Sequence, residues 1–264
     1  MFRKSLFLLL VVAFSIGAAN ADNALDIKHE TERAISLMEH GRFSEARHSL
    51  SLLRSKVNVD DEVLVRHIDF ELARCAFELH DNDVEAILLA FLRRYPESVH
   101  VNEVRFMLAM YYCERNEYTK ARTYLNSVSY KALTEDNKER YNMRMGYIEF
   151  VAKNYDKAYQ LFSILSPAGE YADHATYYKS YMAYARGELS VARRGFESLR
   201  ESRIYADLMP FYVMQIDFKG GDYRAVVASG DELMQRTTPE QTLQINRMMA
   251  ESWFQLQDYQ AAVK

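Results

Sequence analysis

Seven histidines, at positions 29, 40, 48, 67, 80, 100 and 174, and two cysteines, Cys75 and Cys113, are the residues best suited to metal or nucleophile chemistry. Their spacing does not organise either. No His-Glu-x-x-His pair occurs, and no Cys/His group has the close spacing of a zinc site. A glycine-rich phosphate loop and a Gly-x-Ser-x-Gly elbow are also missing from the sequence. The cysteines are too few to staple a fold; they either pair in an oxidising compartment or stay as two buried thiols. One acid-catalysis candidate is left, Glu251, followed by Ser252 in "MMAESWF" (248–254). The remaining chemistry is that of binding. Arg140 and Arg144 lie one helical turn apart and either meet a partner's carboxylate or are solvated helix charges. Tyrosine and phenylalanine are abundant, at 19 and 14 residues.

The elements that position these residues repeat along the chain. "GRFSEARHSL" (41–50), "DNDVEAILLA" (81–90), "NEYTKARTYL" (116–125), "KNYDKAYQLF" (153–162), "GELSVARRGF" (187–196), "GDYRAVVASG" (221–230) and the terminal "LQDYQAAVK" (256–264) are relatives of one another. An aromatic or apolar residue falls at Phe43, Tyr118, Tyr155, Leu189, Tyr223 and Tyr259, with Asp83 the exception. Three residues on comes Ala46, Ala86, Ala121, Ala158, Ala192, Val226 or Ala262, at successive spacings of 40, 35, 37, 34, 34 and 36. Twelve residues before it lies a mostly small residue, at Ala34, Ala109, Gly146, Ser180 and Ala250, which lets two helices approach; Arg74 and Met214 depart from this. Gly41, Asp81, Asn116, Gly187 and Gly221 occupy the intervening turns, where Gly, Asn and Asp best tolerate a left-handed residue. Pro96 and Pro167 fall where second helices stop, Pro239 where a first helix starts and Pro210 near the start of another.

A period of about 34 residues made of paired helices resembles the tetratricopeptide repeat (TPR) family. The resemblance covers roughly residues 24–264. "FLRRYPES" (91–98) is more narrowly similar to helix ends of envelope TPR proteins related to the BamD and YbgF families of Gram-negative bacteria, without the lipobox cysteine of BamD. The expected fold is all-α, a right-handed TPR superhelix (α-solenoid) of about seven helix hairpins, the last incomplete. Approximate repeats are 24–59, 60–97, 98–134, 135–168, 169–202, 203–238 and 239–264. A half-hairpin cannot bury its apolar face, so the ending at residue 264 reads as a fragment of a longer array with poorly packed last residues.

The resemblance implies that first helices line a concave surface. Projected onto this sequence, the lining carries Met143, Tyr177 and Phe211 at one position, Tyr147, Tyr181 and Gln215 at a second, and Phe150, Tyr184 and Phe218 at a third. These rings either pack helix against helix or form a partner-binding groove; the hairpin core is already supplied by Met145, Tyr155, Phe162 and Leu165. The expected occupant is a polypeptide segment, from another protein or from a C-terminal continuation of this chain. No cofactor and no metal is expected. The alternative is the helical accessory region of a larger cell-wall (peptidoglycan) enzyme or glycan binder whose catalytic part lies beyond residue 264. Lytic transglycosylases present their catalytic acid in a Glu-Ser pair. Here, however, Glu251 and Ser252 sit in register within a repeat and the glycine-rich stretch of that family does not follow, so no catalysis is expected.

The N-terminus reads as a cleavable signal peptide, residues 1–21. Arg3 and Lys4 precede the apolar "LFLLLVVAFSI" (6–16), and Ala19-Asn20-Ala21 offers a small-x-small cleavage site. Eleven apolar residues fall short of the roughly 20 that cross a bilayer. Export to the periplasm or envelope of a Gram-negative bacterium is the expected location, with no transmembrane segment after cleavage. Losing Arg3 and Lys4 moves the formal charge from −4 to −6, a poor balance for binding nucleic acid.

Overall fold

The second helix of nearly every hairpin buries the same three-residue pattern. Ala46, Leu50 and Leu53 are followed in later hairpins by Ala121, Leu125 and Val128, then Ala158, Phe162 and Leu165, then Ala192, Phe196 and Leu199. Spacings of four and three residues place these side chains on one face of a helix, which is what an amphipathic helix docked on its partner requires. In the computed structural model, which describes residues 26–58 and 61–263, this face closes against the preceding helix in every pair but the last. The described residues form seven such pairs and no strand. The pairs are α1 (26–39) with α2 (Phe43–Lys56), α3 (Glu62–Glu78) with α4 (Val84–Arg94), and α5 (Val101–Glu114) with α6 (Tyr118–Ser127). They continue as α7 (Glu135–Val151) with α8 (Tyr155–Ile164), α9 (Ala172–Arg186) with α10 (Leu189–Ser198), α11 (Met209–Gly220) with α12 (Tyr223–Met234), and α13 (Pro239–Gln255) with α14 (Tyr259–Ala262). The chain is an all-α solenoid of helix hairpins. The signal-peptide expectation falls on residues 1–21, outside the described residues.

Each hairpin turns through one residue of positive φ: Gly41, His80, Asn116, Lys153, Gly187, Gly221 and Gln257, between 53° and 82°. The amide of the next residue then donates to the carbonyl five residues back, as in Arg42 to Leu37 at 2.9 Å, Asn154 to Glu149 at 2.9 Å and Asp258 to Trp253 at 3.0 Å. This closes off the last carbonyls of the first helix. Only three of the seven positions carry glycine, so the others hold a conformation that disfavours a side chain. Lys153→Gly is therefore expected to stabilise the chain by about 1 kcal/mol, and Gly187→Ala to destabilise it by a similar amount. Urea unfolding of the two variants checks both signs.

The second hairpin corrects the repeat register read from the sequence. Its buried pattern is Val84, Leu88 and Phe91, whereas Ala86 is exposed. The turn residue is His80 rather than Asp81, and the small residue of the first helix is Ala73, fully buried, rather than Arg74. Arg74 instead pairs with buried Glu71 at 2.7 Å. The apparent departure of Arg74 from the pattern was a one-residue slip. Both cysteines are buried, and burial pushes the Cys75 thiol up to about 11, which leaves it protonated and inert.

The chain divides into two compact units at Ala132 and Leu133. In the first, Ile27, Ala34, Met38, Leu50, Leu53 and Ile68 form a continuous core. Asp69 accepts hydrogen bonds from Arg54 and Tyr95, both at 2.6 Å. The second unit holds three successive cores, centred on Phe162, on Phe196 and on Met214 with Ile245. Thr134 caps α7, and Thr238 with Gln241 forms a capping box ahead of Pro239 on α13. Helix α14 buries no residue. Among the described residues no helix is long and apolar enough to cross a membrane.

Candidate binding surface on the first helices of the second unit

Helices α7, α9 and α11 carry every residue expected to line a groove, and packing sorts those residues into two groups. Met143 and Phe211 are each 6% exposed and belong to the cores around Phe162 and Met214. They pack helix on helix and present little surface, although Met143 still lines a cleft beside α9. Tyr147, Phe150, Tyr177, Tyr181, Tyr184 and Phe218 are half-buried, and all but Tyr147 pack against these cores.

Ring contacts join Tyr147, Phe150, Tyr181, Tyr212 and Tyr177 across the three helices by way of Tyr178, whereas Phe218 meets Tyr223 instead. Phe150 meets Tyr181 edge to face at 5.4 Å, and Tyr181 meets Tyr212 in the same way at 6.3 Å. Tyr177 stacks on Tyr205 at 4.4 Å and shares a hydroxyl–hydroxyl hydrogen bond of 2.7 Å with Tyr212. Lys219 lies over the face of Tyr184, with Nζ 4.6 Å from the ring centre, and donates to the Tyr184 carbonyl at 3.1 Å. Tyr178 stacks on Phe162 at 5.1 Å, and Tyr212 stacks on Phe196 at 4.6 Å. These pairs repeat: both the tyrosines and the phenylalanines stand 34 residues apart. Sequence reading passed over Tyr178, Tyr205 and Tyr212 because it followed only the projected lining positions. The 34-residue recurrence of Tyr178 and Tyr212 was the available signal.

At the same helical position in the preceding repeat stands Arg144 rather than a ring. Beside it a cleft of about 490 Å³ lies between α7 and α9, lined by Arg140, Met143, Arg144, Tyr147, Tyr171, His174, Tyr178 and the exposed Glu170. His174 Nδ1 is 2.7 Å from the Tyr205 hydroxyl. Burial, reinforced by the nearby Arg144 guanidinium, holds the His174 pKa below its ordinary value. Burial likewise raises Tyr177 and Tyr184, raises Tyr205 to about 12 and raises Tyr212 further, so these phenols are neutral hydroxyls at pH 7. The surface is an aromatic sheet dotted with neutral hydroxyls and flanked by two guanidinium groups.

The His174 shift predicts a pH dependence. Its folded pKa lies below the unfolded value, so the unfolded chain takes up the proton first. Stability is then complete above about pH 6.5 and falls as pH drops below it. Thermal unfolding at about pH 8 and about pH 5 is expected to show a smaller loss in His174→Gln than in the parent chain. An equal loss in both would assign the dependence to other groups.

Glu251 and Ser252 do not converge. Glu251 is exposed and accepts a hydrogen bond from Gln255 at 2.8 Å, whereas Ser252 is fully buried and donates to the Met248 carbonyl at 2.6 Å. Among the described residues no group of three or more His, Cys, Asp or Glu could hold a metal ion.

No protein-family model matches the chain, and no match to a curated protein was found. Among solved structures, a tetratricopeptide repeat protein from Parabacteroides merdae ATCC 43184 is similar over 89% of each chain, at 16% identity and a TM-score of 0.51. At that identity the likeness is one of fold, and the fold is that of tetratricopeptide repeats.

Proposed function

We propose that this chain is an exported, non-catalytic interaction scaffold that holds a polypeptide segment along α7, α9 and α11. The observation that carries this reading is the row of half-buried rings from Phe150 through Tyr181 to Tyr212. It persists across three consecutive repeats although Phe162, Phe196 and Met214 already fill the cores beneath it. A continuous aromatic strip with hydroxyl tips suits peptide side chains and backbone amides at once.

A glycan is favoured less by the same geometry. Stacking on a sugar requires an open ring face. One face of Tyr177 is taken by Tyr205, one of Tyr178 by Phe162 and one of Tyr212 by Phe196, while Lys219 covers Tyr184. Fewer ring faces are therefore left for a sugar, while the hydroxyls suit a peptide backbone.

Affinity isolation with the parent chain and with a Tyr147→Ala, Tyr181→Ala, Phe218→Ala variant tests the reading. Loss of one defined protein partner with unchanged circular dichroism supports it. Unchanged capture of that partner, or loss of peptidoglycan binding alone, contradicts it. Export rests on the N-terminal apolar run and its Ala19-Asn20-Ala21 site. An N-terminus of Asp22 in protein recovered from the cell envelope is the expected result.

A further inference from the structure

The cleft between α7 and α9 has a chemistry that the aromatic strip does not share. In the second unit, Arg186 pairs with Asp156 at 2.5 Å and Arg236 with Glu232 at 3.1 Å, and Arg193 pairs with Asp217. Arg194, Arg203, Arg224 and Arg247 have no such partner and are exposed, where water solvates them. Arg140 and Arg144 differ from both groups. Each is half-buried, and among the described residues neither has a carboxylate within ion-pair distance. Both side chains line the cleft without an ion-pair partner, and a ligand carboxylate between them would gain charge-assisted hydrogen bonds.

The surroundings define which anion fits. The two arginines are four residues apart on α7, so their Cβ atoms stand about 6 Å apart on one face. Two carboxylates one helical turn apart, or alternating along an extended segment, match that distance. Tyr147, Tyr171 and Tyr178 wall the same cleft and offer apolar contact to the residues between the acids. Glu170 at the edge and an uncharged His174 limit how much negative charge the cleft accepts, which favours carboxylates over dianionic phosphate. We infer that this cleft is an acidic-segment subsite of the scaffold, in which Arg140 and Arg144 bind the side-chain carboxylates of an internal stretch of the partner polypeptide. It rests on the groove reading and adds to it the charge and register of the bound segment.

The test uses a short fluorescein-labelled peptide alternating glutamate with leucine, amidated at its C-terminus, together with a counterpart carrying glutamine for glutamate. Fluorescence anisotropy with the purified chain is expected to show the glutamate peptide binding at least about tenfold tighter. An Arg140→Gln, Arg144→Gln variant should erase that preference, whereas Arg194→Gln, Arg203→Gln should keep it. Raised salt should weaken only the glutamate peptide. Equal affinity for the two peptides overturns the inference, as does a preference that survives in the Arg140→Gln, Arg144→Gln variant. If both peptides bind equally and Tyr181→Ala weakens both, the groove stands and the acidic subsite falls. If neither binds, the subsite also falls, and the groove is decided by the partner isolation alone. A counterpart with phosphoserine that binds more than about tenfold tighter than the glutamate peptide would make this a phosphate site and overturn the choice of carboxylate.

Discussion

Phe162→Ala is expected to destabilise the second unit by about 3–5 kcal/mol. The ring is fully buried and stacks on Tyr178 at 5.1 Å within a core that includes Met143, Leu165 and Met182. Removing it deletes the transfer energy of a benzyl group and leaves a cavity that the flanking helices cannot close, because Gly146 has no side chain to move into it. The effect should be regional, since stacked repeats depend on their nearest neighbours. Amide exchange in α7, α8 and α9 should accelerate more than in α13. A loss below about 1 kcal/mol would mean that Phe162 is not the centre of this core.

Gly146→Ala is expected to cost about 1–3 kcal/mol by overpacking. A Cβ there would lie 2.8 Å from Cε1 of Phe162 and 3.1 Å from Cδ1 and Cζ, and the ring has no free space to retreat into. Alanine is ordinarily the better helix residue by about 1 kcal/mol, so a loss of stability would identify steric contact as the winning effect. The same contact predicts coupling: in a Phe162→Leu background the smaller side chain should tolerate the Gly146→Ala change, and the two costs should sum to more than the double variant shows. Chemical denaturation of the four proteins measures this. Additive costs would contradict the close approach of α7 and α8.

The same pair shows what the sequence could reveal. A glycine or other small residue twelve positions before an alanine marked the crossing of two helices, and the structure places Gly146 against Phe162 at that crossing. The second hairpin was harder to register because alanine is uninformative on its own. Ala86 matched the pattern by type yet faces solvent, whereas Val84 does the burying. The turn gave no help, since a positive φ at His80 has no sequence mark comparable to Gly41 or Gly187.

For the proposed surface, periodicity placed the rings on α7, α9 and α11 but did not give the depth of each one. Met143 and Tyr177 occupy equivalent positions, yet the first is enclosed in the core around Phe162 and the second remains half-exposed against Tyr205. That difference depends on the neighbouring helix, which a 34-residue period does not describe. Tyr205 precedes α11, off the lining register, and only the folded chain brings its hydroxyl to His174. Arg144 was visible as a charge, but its significance depends on Tyr178 and Tyr212 occupying the same place in later repeats.

The most direct test of the proposed interaction surface is site-specific photo-crosslinking in cells that produce the chain, with benzoylphenylalanine placed at position 181 on α9 or at position 159 on α8. Tyr181 lies in the aromatic strip, and Tyr159 is a 45% exposed tyrosine on a second helix. The groove reading predicts a discrete polypeptide adduct at position 181, lost on adding Tyr147→Ala and Phe218→Ala, and none of the same mass at position 159. An adduct at position 159 alone, or none at position 181 in folded protein, would contradict it.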